Sequence, residues 1–300
     1  MAEQSKYLDP RILNKIARLN MRARSVMEGF VSGLHKSPYH GFSVEFAQHR
    51  EYTAGDDLRF LDWKVYGRSD RLYIKQYEQE TNLRSYILLD ASESMDYKSE
   101  NQSKFDYAAT IAASLSYLIM EQQDSAGLVL FDRVVTKFIH AQSSPMHLRV
   151  IVNEMEAQKA TEKTDMGSVL HDVAERIKHK GLVILISDLF DKPESILSGL
   201  QHFKHNRHDV IVIHVLDEAE VRFPFDRMTR FDGLEGYPYL VVDPRSLREA
   251  YLEEVQKFTT EIRRGCLAQQ IDYVQVTTDQ PVEVALTGYL AKRLSRTRAK

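Results

Sequence analysis

The chain contains a single cysteine, Cys266, among its 300 residues. One thiol cannot form an internal disulfide or a thiolate metal cluster, which excludes the disulfide-stabilised scaffolds of small secreted proteins. We therefore expect a reducing compartment, the cytoplasm. The N-terminus, MAEQSKYLDPRILNKIARLN, lacks the basic segment and apolar core of a signal peptide, so secretion is not expected.

Long hydrophobic runs and an excess of charge are also missing. The strongest apolar runs, such as LVILI at residues 182–186, are far shorter than the ~20 residues that a membrane-spanning helix needs. Lysine and arginine total 40 against 43 acidic residues, and a net charge of −3 gives no general attraction to nucleic acid. We expect a soluble, folded protein without a transmembrane segment or a nucleic-acid partner.

From residue 85 onward, strand-like and helix-like patterns alternate, which is typical of a mostly parallel sheet with helices on both faces. This predicts an α/β, doubly wound fold. The predicted strands are 85–90, 126–131, 134–141, 181–188, 209–217 and 271–278. The predicted helices are 104–123, 146–159, 166–179, 194–205, 246–265 and 282–295.

Two segments fall outside this alternation. Residues 8–34 carry apolar side chains at intervals of three and four, which predicts an amphipathic helix, and residues 36–82 are interpreted as short strands and turns. Residues 1–82 would then form an N-terminal helix and β-rich extension to a main domain at 83–300. Turn residues and extended pieces at 218–245 predict a small β insertion in that domain.

Oxygen-bearing side chains follow the predicted strands where ligands collect in an open α/β sheet. Asp90, Ser92 and Ser94 form a D-x-S-x-S sequence directly after one strand, Thr164 precedes a predicted helix, and Asp188 ends another strand. Oxygen ligands without sulfur or imidazole suit a hard cation, Mg²⁺ or else Mn²⁺ or Ca²⁺. Two aspartates brought together raise the pKa of one carboxyl unless a cation neutralises it.

The order D-x-S-x-S, threonine, aspartate resembles the metal-ion-dependent adhesion site (MIDAS) of von Willebrand factor A (vWA) domains. The upstream segment EFAQHREYTAGDDLRFLDWKVYGRSDRLYIKQYEQE resembles the signature of the bacterial DUF58 family. The resemblance implies a vWA-like domain that binds metal through Asp90, Ser92, Ser94, Thr164 and Asp188. It further implies a metal ion that bridges to an acidic side chain of a protein partner. A MoxR-type AAA+ ATPase is the implied associate, in chaperone-like maturation of other proteins.

Other interpretations of the same residues stay open. Aspartate and serine are good helix N-caps, so the three residues at 90, 92 and 94 could only satisfy backbone N–H groups. Asp90 could instead be the nucleophile of a Mg²⁺-dependent phosphatase or phosphotransferase, although such enzymes usually carry a second aspartate where this chain has Ser92. A metal-independent scaffold that binds through residues 1–82 is the third alternative. We favour a protein-binding module and expect that the chain is not an enzyme.

Two further clusters have less specific patterns. The cluster Gly55, Asp56, Asp57, Arg59, Asp62 and Trp63 is either an interaction surface or a charged turn with Trp63 packed inward. His202, His205 and His208 lie in the segment HFKHNRH, where no carboxylate stands at ligand spacing, and a surface position is expected for them. No chemistry is assigned to His140, His171 or His214.

Overall fold

A computed structural model of the chain describes Tyr7 and residues 44–53, 58, 61–79, 83–99, 102–158, 165–233 and 239–298. The chain divides into two compact units, Val31–Asn82 and Leu83–Lys300 together with Met1–Phe30. The helix predicted for residues 8–34 lies outside the described residues, apart from its neighbour Tyr7. No helix of the described part is both long and apolar enough to cross a membrane.

The smaller unit contains two antiparallel strands, β1 (Val44–Glu51) and β2 (Tyr73–Gln79), with helix α1 (Trp63–Ser69) between them. The sequence predicted strands and turns here but no helix. Helix α1 begins after Asp62, whose carboxylate accepts hydrogen bonds from the N–H groups of Lys64 and Val65. The helix has only seven residues and buries no side chain, so this cap is important for its stability.

The alternative that placed Trp63 in the interior is wrong, because this side chain is 65% exposed. A residue in the first turn of a helix that buries nothing has no core to pack into. Residues 55–57 and 59 of the same cluster lie outside the described part of the chain.

The larger unit is built on a six-stranded sheet. Its strands are β3 (Arg84–Asp90), β4 (Ser125–Phe131), β5 (Val135–Gln142), β6 (Leu182–Ser187), β7 (Asp209–Leu216) and β10 (Asp272–Thr277). They lie in the order β10-β7-β6-β3-β4-β5. All neighbours are parallel except β4 and β5, which are antiparallel at one edge. The predicted fold class is confirmed.

Six long helices cover this sheet. They are α2 (Lys104–Glu121), α3 (Pro145–Ala157), α4 (Met166–Arg176), α5 (Pro193–His205), α7 (Pro244–Ala268) and α8 (Val282–Arg298). Alternate strand residues such as Leu88 and Leu185 pack with side chains of α4, α5 and α7 in one core cluster. The intervening residues, such as Ile87 and Ile186, are equally buried on the opposite face. Burial on both faces explains why these strands are continuous apolar runs.

The insertion between β7 and α7 is only partly made of strands. It opens with the short helix α6 (Glu218–Arg222), and two short strands, β8 (Thr229–Phe231) and β9 (Leu240–Val242), then pair antiparallel. Helix α6 begins in a capping box, in which the Asp217 carboxylate accepts from the backbone and Glu220 accepts from the Asp217 N–H. The insertion predicted as β structure therefore begins with a helix, because Asp217 and Glu220 form this cap.

The order of the strands defines where a ligand would bind. From β3 the chain continues to β4 on one side, whereas from β6 it continues to β7 on the other side. Because the two connections leave in opposite directions, a crevice opens at the carboxyl ends of β3 and β6. Asp90 ends β3 and Asp188 follows β6 directly, so both carboxyl groups lie at this crevice.

Candidate functional site

Asp90 is fully buried and both of its carboxylate oxygens accept hydrogen bonds. Oδ1 accepts from the Ser92 N–H at 3.0 Å, and Oδ2 accepts from the Ser187 hydroxyl at 2.6 Å. The first bond fixes the turn that follows β3, and the second connects β3 to its neighbour β6. The carboxylate is therefore held in one orientation by the ends of two adjacent strands.

Ser92 and Ser94 are also buried, and their hydroxyl oxygens lie 3.1 Å apart. Ser92 stands before a short 3₁₀ helix, Glu93–Asp96, but its hydroxyl makes no capping bond to that helix. The interpretation of Ser92 as a helix cap is therefore wrong. Its hydroxyl is directed toward Ser94, and Ser94 in turn bonds to the Asp188 carboxylate.

Asp188 is the second buried carboxylate of the crevice. Its Oδ1 accepts from the Phe190 N–H at 3.2 Å, and its Oδ2 accepts from the Lys104 ammonium at 2.7 Å. Burial opposes the charged form, but Lys104 and the Ser94 hydroxyl outweigh it and hold the pKa of Asp188 below its usual value. Asp188 is therefore ionised at neutral pH.

The two carboxylates influence each other, as the sequence predicted. Burial and then the negative charge of Asp188 raise the pKa of Asp90 to about 7, while hydrogen bonds from Ser187 and Ser92 oppose this shift. Asp188 is paired with the Lys104 ammonium, whereas Asp90 has no ion-pair partner among the residues that the structure describes.

Lys104 is the residue of this site that the sequence analysis missed. Its side chain is only 2% exposed, and its ammonium nitrogen lies 2.7 Å from Asp188 and 2.8 Å from Glu220 of helix α6. Burial alone would lower the pKa of Lys104, but Asp188 and then Glu220 raise it well above its usual value. The partners are 84 and 116 residues away along the chain, so no local pattern reveals the contact.

The backbone after Asp188 takes an unusual conformation. Leu189 has a φ of 55°, in the left-handed region, although its side chain is fully buried in the core. Its N–H donates to the Ser187 hydroxyl at 2.8 Å, and its carbonyl accepts from the Asp191 N–H at 2.7 Å. The next residue, Phe190, is 62% exposed beside the buried site. This turn thus holds Asp188 inward and Phe190 outward.

His214 contacts the same turn through a hydrogen bond to the backbone of Asp188. It is fully buried, and burial lowers its pKa to about 4, so the imidazole is neutral. Its Nε2 lies 2.9 Å from the Asp188 carbonyl oxygen and its Nδ1 lies 2.6 Å from the Tyr273 hydroxyl. A carbonyl can only accept, so Nε2–H donates to Asp188 and Nδ1 accepts from Tyr273. His214 therefore has a structural role that the sequence did not indicate.

The remaining candidates have different outcomes. Thr164 lies outside the described residues. His208 is buried, and its Nδ1 accepts from the Gly181 N–H at 3.2 Å, so the surface position expected for it is wrong. His202 and His205 are not buried. The Nδ1 atoms of His202 and His171 are 3.0 Å apart. No group of three or more histidine, cysteine or acidic residues suited to a metal occurs within the described ranges.

The crevice thus collects two carboxylates and two hydroxyls from the ends of β3 and β6. All four groups, on Asp90, Ser92, Ser94 and Asp188, are buried, and they provide oxygen only. This donor set fits a hard divalent cation such as Mg²⁺, which prefers carboxylate and other oxygen ligands. Asp90 has no ion-pair partner among the described residues, so its carboxylate also suits a divalent cation. Lys104 already bonds to one oxygen of Asp188.

An α/β sheet with this strand order and a polar site at its switch point is a doubly wound domain. The chain matches the family described as "Protein of unknown function DUF58" over residues 48–261. It therefore belongs to the DUF58 family, as its upstream signature indicated.

Three proteins with similar sequence or structure share 25% identity or less with this chain. An uncharacterized protein of Mycobacterium tuberculosis is 25% identical over 220 residues, which cover 72% of this chain and 68% of that protein. BatB of Bacteroides thetaiotaomicron, a conserved hypothetical protein, is 15% identical with a TM-score of 0.49 over 71% of this chain and 99% of BatB. The VWA domain of SpRpn10 is 10% identical with a TM-score of 0.41, over 69% and 95% of the two chains.

Proposed function

We propose that this chain is a non-enzymatic protein-binding module that uses a divalent cation to engage an acidic side chain of a partner. The observation that carries the proposal is the convergence of buried oxygen donors at the crevice between β3 and β6. The proposed ligands are Asp90, Ser92, Ser94, Thr164 and Asp188, with Mg²⁺ as the expected ion and Mn²⁺ or Ca²⁺ as substitutes.

The ion would supply a positive charge with an open position for a carboxylate oxygen. The chain's own residues orient the ligands. The hydroxyl of Ser187 holds Asp90, and the Phe190 N–H holds Asp188. Because strand ends and a tight turn fix both carboxylates, little conformational freedom would be lost on binding. Such a site selects for a partner that presents a carboxylate.

Membership of the DUF58 family suggests the associate. The resemblance to this family implies that the chain acts together with a MoxR-type AAA+ ATPase, in chaperone-like maturation of other proteins. We propose this ATPase, or a client that it acts on, as the source of the acidic side chain. The proposal places the chain in the cytoplasm, where such an ATPase hydrolyses ATP.

A calorimetric titration of the metal-stripped chain with Mg²⁺ and Mn²⁺ tests the site. We expect saturable binding that Asp90→Ala and Thr164→Ala both abolish, each in a variant shown to fold by circular dichroism. Asp96→Ala is the matched control, because Asp96 is an exposed aspartate of the same turn. Equal binding by the Asp90→Ala and Asp96→Ala variants would contradict the proposal.

The two alternatives give different results with the same variants. A phosphatase would release phosphate from an aryl phosphate with Mg²⁺ in a manner that depends on Asp90, and we expect no turnover. A metal-independent scaffold would bind its partner equally well with and without the Asp90→Ala change. We expect that this change abolishes partner binding and leaves the fold intact.

A further inference from the structure

The buried ammonium of Lys104 is the one cation at the crevice among the described residues. Lys104 is the first residue of α2, and its side chain is enclosed between Asp188 at the end of β6 and Glu220 in α6. The ammonium nitrogen lies 5.8 Å from the centroid of the Tyr97 ring. Lys104 already neutralises Asp188, so this carboxylate does not need a metal ion for that purpose.

We infer that Lys104 is a resident cation that regulates the proposed metal site; this inference rests on the proposed function. It holds Asp188 in place when no metal is bound, and it opposes the entry of a divalent cation. The isolated chain then binds metal weakly. Binding tightens when a partner carboxylate adds its negative charge, so metal and partner bind together.

The hydrogen bonds of Asp188 support the competition. Its Oδ2 accepts from Lys104 and its Oδ1 accepts from the Phe190 N–H, so a metal ion bound at Oδ2 has to share that oxygen with the ammonium. A divalent ion bound there would also lie within a few ångströms of a buried positive charge. Like charges at that distance repel strongly where water is excluded.

Glu220 keeps the ammonium paired when a metal ion shares the Asp188 carboxylate. Its Oε1 accepts from Lys104 at 2.8 Å, while its Oε2 accepts from the Asp217 N–H at 2.7 Å. The second bond belongs to the capping box of α6 and fixes the carboxylate in position. Lys104 therefore does not have to leave the interior, and it connects the crevice to the insertion that follows β7.

The test compares metal affinity between charge-matched variants of the full chain. Metal-stripped wild type, Glu220→Gln and the double variant Lys104→Met/Glu220→Gln are titrated with Mn²⁺ by calorimetry. The double variant removes one positive and one negative charge together, a change that buried ion pairs often tolerate. We expect it to bind Mn²⁺ at least tenfold more tightly than wild type. We expect Glu220→Gln to bind no more tightly than wild type, because the ammonium then has Asp188 alone.

Thermal unfolding provides a second readout. The single Lys104→Met variant leaves two carboxylates without their counter-ion, so it should unfold at a lower temperature than wild type, and Mn²⁺ should raise that temperature more than it does for wild type. If the methionine double variant does not fold, Lys104→Gln/Glu220→Gln keeps both side chains polar and gives the same comparison.

The outcomes separate this inference from the proposed function. Wild-type or weaker Mn²⁺ affinity in a folded double variant would overturn the role of Lys104 and leave the metal site standing. Absence of Mn²⁺ binding in every folded protein, wild type included, would overturn both.

Discussion

The left-handed backbone at Leu189 should reverse the usual order of stability between an alanine variant and a glycine variant. Replacing this buried side chain by alanine removes core packing and costs about 2–5 kcal/mol of the free energy of unfolding. The alanine variant also keeps the strain of a φ of 55°, which costs about 1–2 kcal/mol for a residue with a Cβ. Glycine removes the same packing but takes this φ without strain.

Leu189→Gly should therefore be more stable than Leu189→Ala, by up to about 1.5 kcal/mol. The difference is the about 1–2 kcal/mol of strain that glycine relieves, minus the about 0.5–1 kcal/mol that glycine loses through the greater freedom of its unfolded chain. Both variants should be less stable than wild type. At most other positions the order is the reverse.

Urea unfolding followed by circular dichroism measures both free energies. Leu185 in β6 is the matched control, because it is equally buried four residues earlier in a regular strand. There the alanine variant should be more stable than the glycine variant by about 0.5–1 kcal/mol. The same order at both positions would refute the left-handed turn that presents Asp188 and Phe190.

Three further predictions concern buried polar groups. Burial raises the pKa of Asp124 to about 6, so the folded state keeps a proton that the unfolded state releases, and stability falls as pH rises from about 4 to about 6. Asp124→Asn should raise the free energy of unfolding by about 1–3 kcal/mol at pH 8 and leave it unchanged near pH 4 in urea titrations. Ser187→Ala should cost about 1–3 kcal/mol by the same measurement, because Asp90 loses a donor and the Leu189 N–H loses its acceptor. Ser85→Ala is its control, since that buried hydroxyl has no partner within the described residues and its loss should be neutral. His214→Phe should cost about 1–3 kcal/mol in thermal or urea unfolding, because it leaves the Asp188 carbonyl and the Tyr273 hydroxyl unpaired; unchanged stability would contradict a stabilising role for these two hydrogen bonds.

The sequence predicted the sheet because its strands are local apolar runs separated by amphipathic helices. It also predicted which residues follow the strands, and the structure brings Asp90, Ser92, Ser94 and Asp188 to one crevice. Parallel strands make this possible, since their carboxyl ends share one edge of the sheet. Local pattern and topology were sufficient for these four residues.

The remaining features depend on contacts that are distant in sequence. Lys104 looks like an ordinary first-turn residue of α2, and only the fold places it between Asp188 and Glu220. His208 lies in a histidine-rich segment that looks exposed, yet a turn after α5 buries it against Gly181. Helix α1 is only seven residues long and buries no side chain, so periodicity could not predict it. Tertiary contacts decide each of these cases.

The central claim is that a divalent cation binds at the crevice between β3 and β6. Crystals of the chain soaked in Mn²⁺ and measured at the manganese absorption edge test this most directly, because anomalous scattering locates the ion without assumptions about its ligands. We expect one peak within about 2–2.5 Å of oxygens from Asp90, Ser92, Ser94, Thr164 or Asp188. A well-ordered crevice without a peak, with Lys104 still bound to Asp188 at saturating Mn²⁺, would contradict it.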